Sequence, residues 1–177
     1  MNIKIKKRNG SSEKFNIEKI NKVINWAIEG YSGVSLTDIE INAKININDG
    51  VSTKEIHNLL IESAANLISI EKPNYQYVAA RLLLFSVRKQ LYGKMKELPT
   101  LEQHIIDCVS AEVYDYDIYN KYSQEEIAKA DSFIDHSRDF LFTYAGLRQV
   151  VDKYLVQDRS SGGVYETPQF MYMMIAL

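Results

Sequence analysis

PNYQYVAARLLLFSVRKQLYG, residues 73–93, is the stretch on which the fold turns. Pro73 interrupts whatever precedes it, and the residues from Tyr75 to Leu91 then run without a breaker, so a helix is expected across them. Val78, Leu82 and Phe85 fall on one stripe of that helix. Gly93 and Pro99 close it and mark a domain boundary. Phe85 and Lys89 are four residues apart and share a face. A ring and an ammonium so placed can meet a base and a phosphate. They equally suit a core phenylalanine beside a solvated lysine, and spacing alone favours that second reading.

Upstream, residues 2–7 (NIKIKK) alternate polar and apolar with the period of a half-buried strand. Asn9-Gly10 signals a hairpin turn, and residues 12–15 return as its second strand. Asn16 stands at an N-cap position, followed at helical spacing by Ile17, Ile20, Val23, Ile24, Ala27 and Ile28 up to Gly30. A short helix is expected around Leu36, Ile39 and Ala43, and a strand over KININ, residues 44–48. Ser52-Thr53-Lys54-Glu55 matches a capping box opening a helix that should run to about residue 70.

The cations Lys7 and Arg8 flank the turn, and the helix behind Asn16 points its positive dipole end nearby, with Lys19 three residues on. A phosphate site would use all of these together, although composition alone favours a charged edge strand and an ordinary cap. Thr53 and His57 share one face at a helix N-terminus and could hold a sugar hydroxyl or a phosphate. A capping threonine and a surface histidine also account for them, and spacing alone favours that reading.

Downstream of Pro99, helices are expected over residues 101–111, from the second capping box Ser123-Gln124-Glu125-Glu126 towards Ile134, and over residues 142–153. Residues 159–163 read as a turn. Thr167-Pro168 reads as a cap with a helix-starting proline, and the last helix, QFMYMMIAL, has no closing signal, as expected of a piece of a longer chain. Asp131, Asp135, His136 and Asp139 follow no recognised ligand spacing, so no metal site is expected. Tyr114, Tyr116, Tyr119 and Tyr122 are expected to pack helices.

The 177 residues are 46% hydrophobic, enough for a core, and the formal net charge of −2 argues against a dedicated nucleic-acid binder. Cys108 is the sole cysteine, within the apolar run HIIDCV, and is expected to be buried and inert. No disulfide framework can form, which fits a cytoplasmic location, and no apolar run is long enough to span a bilayer.

Three segments then gain force from their order: KRNGSSEKFNIEKI (7–20), DGVSTKEIH (49–57) and the opening stretch. Their succession resembles the ATP-cone domain at the N-terminus of the large (alpha) subunit of class I ribonucleoside-diphosphate reductases. The family's pattern has Asp where this chain has Asn74. The resemblance continues through KYSQEEI (121–127), FIDHSRDFLFTYAGLRQVVDKYLVQD (133–158) and GGVYETPQFMY (162–172), which look like the helical region leading to the catalytic barrel.

The resemblance implies a mainly α (α+β) architecture. A small helical bundle capped by a short β-sheet is expected over residues 3–93, then an incomplete all-helical segment over 94–177. It implies ATP or dATP as allosteric effector, with Mg2+, and no redox cofactor in this segment. Carried over by position, the implied contacts are Ile5, Lys7, Arg8, Glu13, Lys14, Phe15, Asn16, Ile17, Glu18, Lys19, Thr53, His57, Phe85 and Lys89. The implied partners are the rest of the large subunit, a radical-generating small (beta) subunit and further large subunits, with neither nucleic acid nor membrane. A free-standing cone-containing regulator, such as a transcription repressor with a zinc ribbon, is the alternative, and the chain has no CxxC pair to support it. A structural helical adaptor is the third reading.

The family's chemistry needs three barrel cysteines that this chain does not carry. The isolated chain is therefore expected to reduce no ribonucleotide with any reductant. Deoxynucleotide formation by the pure protein would overturn that expectation.

Overall fold

The structure, a computed structural model, describes residues 4–7, 10–44, 49–158 and 160–177. The strand expected over 44–48 therefore falls almost wholly outside the described residues, as do Arg8 and Asn9 of the hairpin turn. The chain divides into two compact units, Met1–Ser86 with Phe142–Arg148, and Val87–Leu141 with Gln149–Leu177.

In the first unit, β1 (Lys4–Lys6) and β2 (Ser12–Lys14) pair antiparallel with Ile5 opposite Glu13. Gly10 takes φ +82°, a left-handed conformation that glycine adopts without steric cost. Its N–H donates to the Lys7 carbonyl at 3.0 Å, and Lys7 N–H donates to Ser11 O at 2.8 Å. Helix α1 (Ile17–Ile28) starts at Asn16, whose side-chain oxygen accepts from Glu18 N at 2.8 Å. Ile24 and Ala27 face inward. Helix α2 (Leu36–Lys44) buries Ile39 and Ala43.

Helix α3 (Thr53–Asn66) opens on the expected capping box, in which Ser52 and Glu55 satisfy each other's backbone N–H. It stops four residues short of the expected end. Ile68 and Ile70 are exposed, so the apolar pattern there reports no burial. Helix α4 (Tyr75–Tyr92) has a wider buried surface than one stripe. Val78, Ala79, Ala80, Leu82, Leu83 and Leu84 are all buried, the signature of a helix surrounded by the core.

The second unit contains α5 (Leu101–Ser110), α6 (Ile118–Lys121), α7 (Gln124–Asp131) and a 3-10 helix (His136–Leu141). Helix α8 (Tyr144–Lys153) begins in the first unit and ends in the second. A two-residue ladder, β3 (Gln157–Asp158) with β4 (Gly163–Val164), precedes α9 (Pro168–Ala176). Of the turn read at 159–163, residues 160–162 lie between β3 and β4, Gly163 belongs to β4, and Arg159 lies outside the described residues; neither α6 nor the 3-10 helix was expected. The capping box at Ser123 forms as expected, but α7 ends at Asp131. Pro168 starts α9, whereas the buried Thr167 hydroxyl makes no capping hydrogen bond.

Leu101, Ile105, Ile127, Ala130 and Phe170 form one cluster in this unit. A polar chain runs beside it. The Tyr114 hydroxyl donates to Glu166 Oε2 at 2.6 Å, and Val156 N–H donates to Glu166 Oε1 at 2.8 Å. Tyr114 thus has a specific polar partner beyond helix packing. His104 stacks on Phe170 with centroids 4.2 Å apart, and burial lowers its pKa to about 4. Burial pushes the Cys108 thiol up to about 12, which keeps it unreactive.

Arg88 donates from Nη2 to Asp139 Oδ2 at 2.9 Å and to the His136 carbonyl at 2.8 Å, and both charged side chains are buried. Burial raises the Asp139 carboxyl above its ordinary value, against the pull of the guanidinium. Asp139→Ala strands a buried guanidinium and should cost about 3–5 kcal/mol in urea unfolding. Arg88→Met with Asp139→Leu removes both charges and should recover most of that loss. A single variant as stable as the parent would show the pair to be dispensable.

Candidate functional site

The free edge of the hairpin is tied to the start of α3. Lys6 N–H donates to Val51 O at 3.0 Å, Gly50 N–H to Lys4 O at 2.9 Å, and Lys4 N–H to Asp49 Oδ1 at 2.8 Å. Lys6 also bridges Ser52 in parallel, and Ser52 is the cap of α3. The pairing therefore fixes Lys7 and Thr53, the next residue on each segment, close to a helix N-terminus with its unpaired N–H groups.

Three of the sequence-predicted residues meet directly. Glu13 Oε2 lies 2.8 Å from Lys7 Nζ, and Lys19 Nζ lies 3.0 and 3.1 Å from the two Glu13 oxygens. The carboxyl is held below its ordinary value first by its hydrogen bond to Lys7, then by that to Lys19. Two ammonium groups around one carboxylate leave this triad with a net positive charge.

The second gathering is aromatic. His57 is buried, and its Nε2–H donates to the Leu82 carbonyl at 2.8 Å, which fixes the tautomer. Its ring stacks on Phe85 with centroids 5.0 Å apart. The surface histidine considered from spacing is thus corrected, because α3 turns this face onto α4. Thr53 is the first helical residue, and Ser52 caps in its place. Trp26 adds a ring, 5.9 Å from Phe85 and tilted by 50°. Sequence reading passed over Trp26, although it stands seven residues after Lys19 and so on the same face of α1.

The remaining predicted positions are more dispersed. Ile5 is buried in β1, opposite Glu13. Lys14 faces Lys4 across the ladder, and both are exposed. Phe15 and Ile17 are half-buried on either side of Asn16, and Glu18 is exposed. Asn16 spends its oxygen on the cap and carries donors on Nδ2. Lys89 lies one turn beyond Phe85, with Nζ 3.0 Å from Gly93 O. Arg8 lies outside the described residues.

A groove of about 560 Å³ lies along a different face of α3, lined by Asp49, Gly50, Val51, Glu55, Asn58, Leu59 and Glu62. Its three carboxylates give it the wrong sign for a polyphosphate. Among the described residues no group of three or more His, Cys, Asp or Glu side chains could hold a metal ion. Asp131 accepts from Leu101 N, Asp135 from Ser137 N, and Asp139 from Arg88. Among the same residues no helix is long and apolar enough to cross a membrane.

Comparison with known proteins assigns the class first. Residues 3–90 match the ATP cone domain family, and residues 140–177 match the all-alpha domain of ribonucleotide reductase. The chain is 45% identical over 175 residues to the ribonucleoside-diphosphate reductase subunit alpha of Enterobacteria phage T4, covering 99% of this chain and 23% of that protein. It is 43% identical over 175 residues to ribonucleoside-diphosphate reductase 1 subunit alpha of Escherichia coli, with the same coverage of 99% and 23%. The subunit alpha of Helicobacter pylori is 32% identical over 176 residues, 99% of this chain and 22% of that protein. The chain belongs to the class I ribonucleoside-diphosphate reductase alpha-subunit family and corresponds to its N-terminal region. It spans less than a quarter of the length of these relatives, 22–23%.

The Glu13 contacts can be read by titration. A carboxyl with a lowered folded pKa stabilises the fold above pH 4.5, and that contribution is lost as pH falls through the folded value. Carboxyl-carbon NMR should place the Glu13 midpoint below 4.5 in the parent and move it back up in Lys7→Ala. An unmoved midpoint would mean that Lys7 and Glu13 do not pair in solution.

Proposed function

We propose that this chain is the allosteric nucleotide-binding segment of a ribonucleoside-diphosphate reductase large subunit, taking ATP or dATP with Mg2+. The observation that carries this reading is the backbone pairing of Lys4–Lys6 with the segment before α3. It gathers a cationic hairpin, a capped helix start and an aromatic wall within one unit of an ATP-cone chain.

In this reading Lys7, Arg8, Lys19 and Lys89 meet the phosphates. The Thr53 hydroxyl and the α3 N-terminus supply neutral donors. Phe85, backed by His57 and Trp26, offers a face to the base. Ile5, Phe15 and Ile17 form apolar borders, while Asn16, Lys14 and Glu18 complete the polar rim. Glu13 holds two of the cations until the triphosphate arrives, so binding exchanges one anion for a more highly charged one. The cone would occupy residues 3–93 and the reductase's helical region residues 94–177.

The reduction of ribonucleotides to deoxyribonucleotides for DNA synthesis then belongs to the rest of the large subunit. A radical-generating small subunit and further large subunits are its partners, in the cytoplasm. No redox cofactor is assigned to this segment.

Each charge-assisted phosphate contact should contribute roughly 1.5–3 kcal/mol. Lys7→Ala and Lys89→Ala should each weaken ATP by about one to two decades in calorimetric titration. Lys121, which pairs with Asp117 at 3.5 Å in the second unit, is the control, and Lys121→Ala should change nothing. Equal affinity in all three variants and the parent would reduce these charges to a solvated surface.

A further inference from the structure

Helix α1 stops at Gly30, which takes φ +82°, and Tyr31 N–H donates back to Ile28 O at 3.0 Å. Its last turn has no basic residue, and its C-cap is Glu29, an acid at the negative end of the helix dipole. The Ala27 and Glu29 carbonyls, on either side of Ile28, are satisfied from α4. Arg81 Nη1 donates to Glu29 O at 2.7 Å and to Ala27 O at 3.2 Å. The Arg81 guanidinium also lies over the Tyr31 ring, 4.3 Å from its centroid, and Tyr31 stacks on Tyr77 at 5.5 Å.

Tyr77, Arg81 and Phe85 stand at successive four-residue steps and so lie along one face of α4. Each meets α1 or the residues just after it: Tyr77 through Tyr31, Arg81 through the two carbonyls, Phe85 through Trp26. Trp26 directly precedes Ala27, one of the carbonyls that Arg81 holds. We propose that Arg81 is a positioning residue for the nucleotide site: by capping the end of α1 it sets the Trp26 ring against Phe85, and it acts on the ligand only through them. This rests on the function proposed above.

A planar fork can reach two carbonyls and stack on a ring at once, and an ammonium can do only part of this. Arg81→Gln should therefore weaken ATP about tenfold in the full chain, and Arg81→Lys should recover part of the loss. Trp26 is the only tryptophan, so its emission reports the pairing without added label. It should shift to the red in Arg81→Gln before any nucleotide is present. Tyr75→Phe is the control for stability alone. It removes the hydroxyl that accepts from Ser35 N at 2.9 Å in the same unit, away from Trp26. It should leave both emission and ATP affinity at parental values.

Parental emission in folded Arg81→Gln overturns the inference, and so does equal weakening of ATP by Arg81→Gln and Tyr75→Phe. If Arg81→Gln does not fold, Arg81→Lys carries the same two readouts, and a parental result there overturns it equally. Failure of the parent itself to bind ATP would sink the nucleotide reading, while the Trp26 emission of the variants would still decide whether Arg81 sets that ring.

Discussion

The hydrogen bonds between Lys4–Lys6 and the segment before α3 are the constraint on which the first unit's organisation depends. A two-stranded hairpin is marginal by itself in water. Here its free edge is completed by chain from more than forty residues away, and the residue it reaches is the cap of α3. One pairing thus satisfies an exposed strand edge and delivers cationic side chains to a helix terminus. Because backbone atoms make the contacts, the side chains of Lys6 and Lys7 are not consumed in holding the hairpin in place.

The hairpin's cations are locally compensated. Glu13 sits between Lys7 and Lys19, so the hairpin does not present bare like charges to each other. These pairs are partly exposed, and exposed pairs contribute little to stability. Their importance lies in geometry, since they hold flexible lysines in one place. In the second unit the logic reverses. Arg88 and Asp139 are removed from water, and polar atoms at Glu166, Tyr114 and His104 thread the apolar cluster. There the polar groups set position within the core.

What could be read from residues was local. Both capping boxes, the Asn16 cap and the positive-φ glycine of the hairpin are specified within a few positions, and each forms as read. Helix α4 was legible from its length, but its enclosure was not, because a central helix needs neighbours on every side. The end of α3 was read too far because apolar periodicity continues past the point where burial stops, whereas α7 ends at Asp131 although Ile134 still packs on the Leu101 cluster. The β3–β4 ladder is too short to carry an alternating pattern. In the candidate site, the four-residue step from Thr53 to His57 was visible, but the burial of His57 depends on α4 from another part of the chain. Trp26 joins Phe85 across a gap in sequence that no spacing rule bridges. Its shared face with Lys19 was the available clue.

The Arg88–Asp139 pair has a consequence for how the second unit can come apart. Its members are separated by 51 positions and join α4 to the 3-10 helix. A partly folded form that released the 3-10 helix while keeping the end of α4 packed would leave a guanidinium in a dry surrounding. One that kept Asp139 enclosed and freed Arg88 would strand a carboxyl instead. Both half-open forms are penalised more than the fully open one, in which water solvates each charge. The pair therefore thins the population of intermediates and sharpens the unfolding transition of this unit, whatever it adds to or subtracts from the depth of the folded minimum.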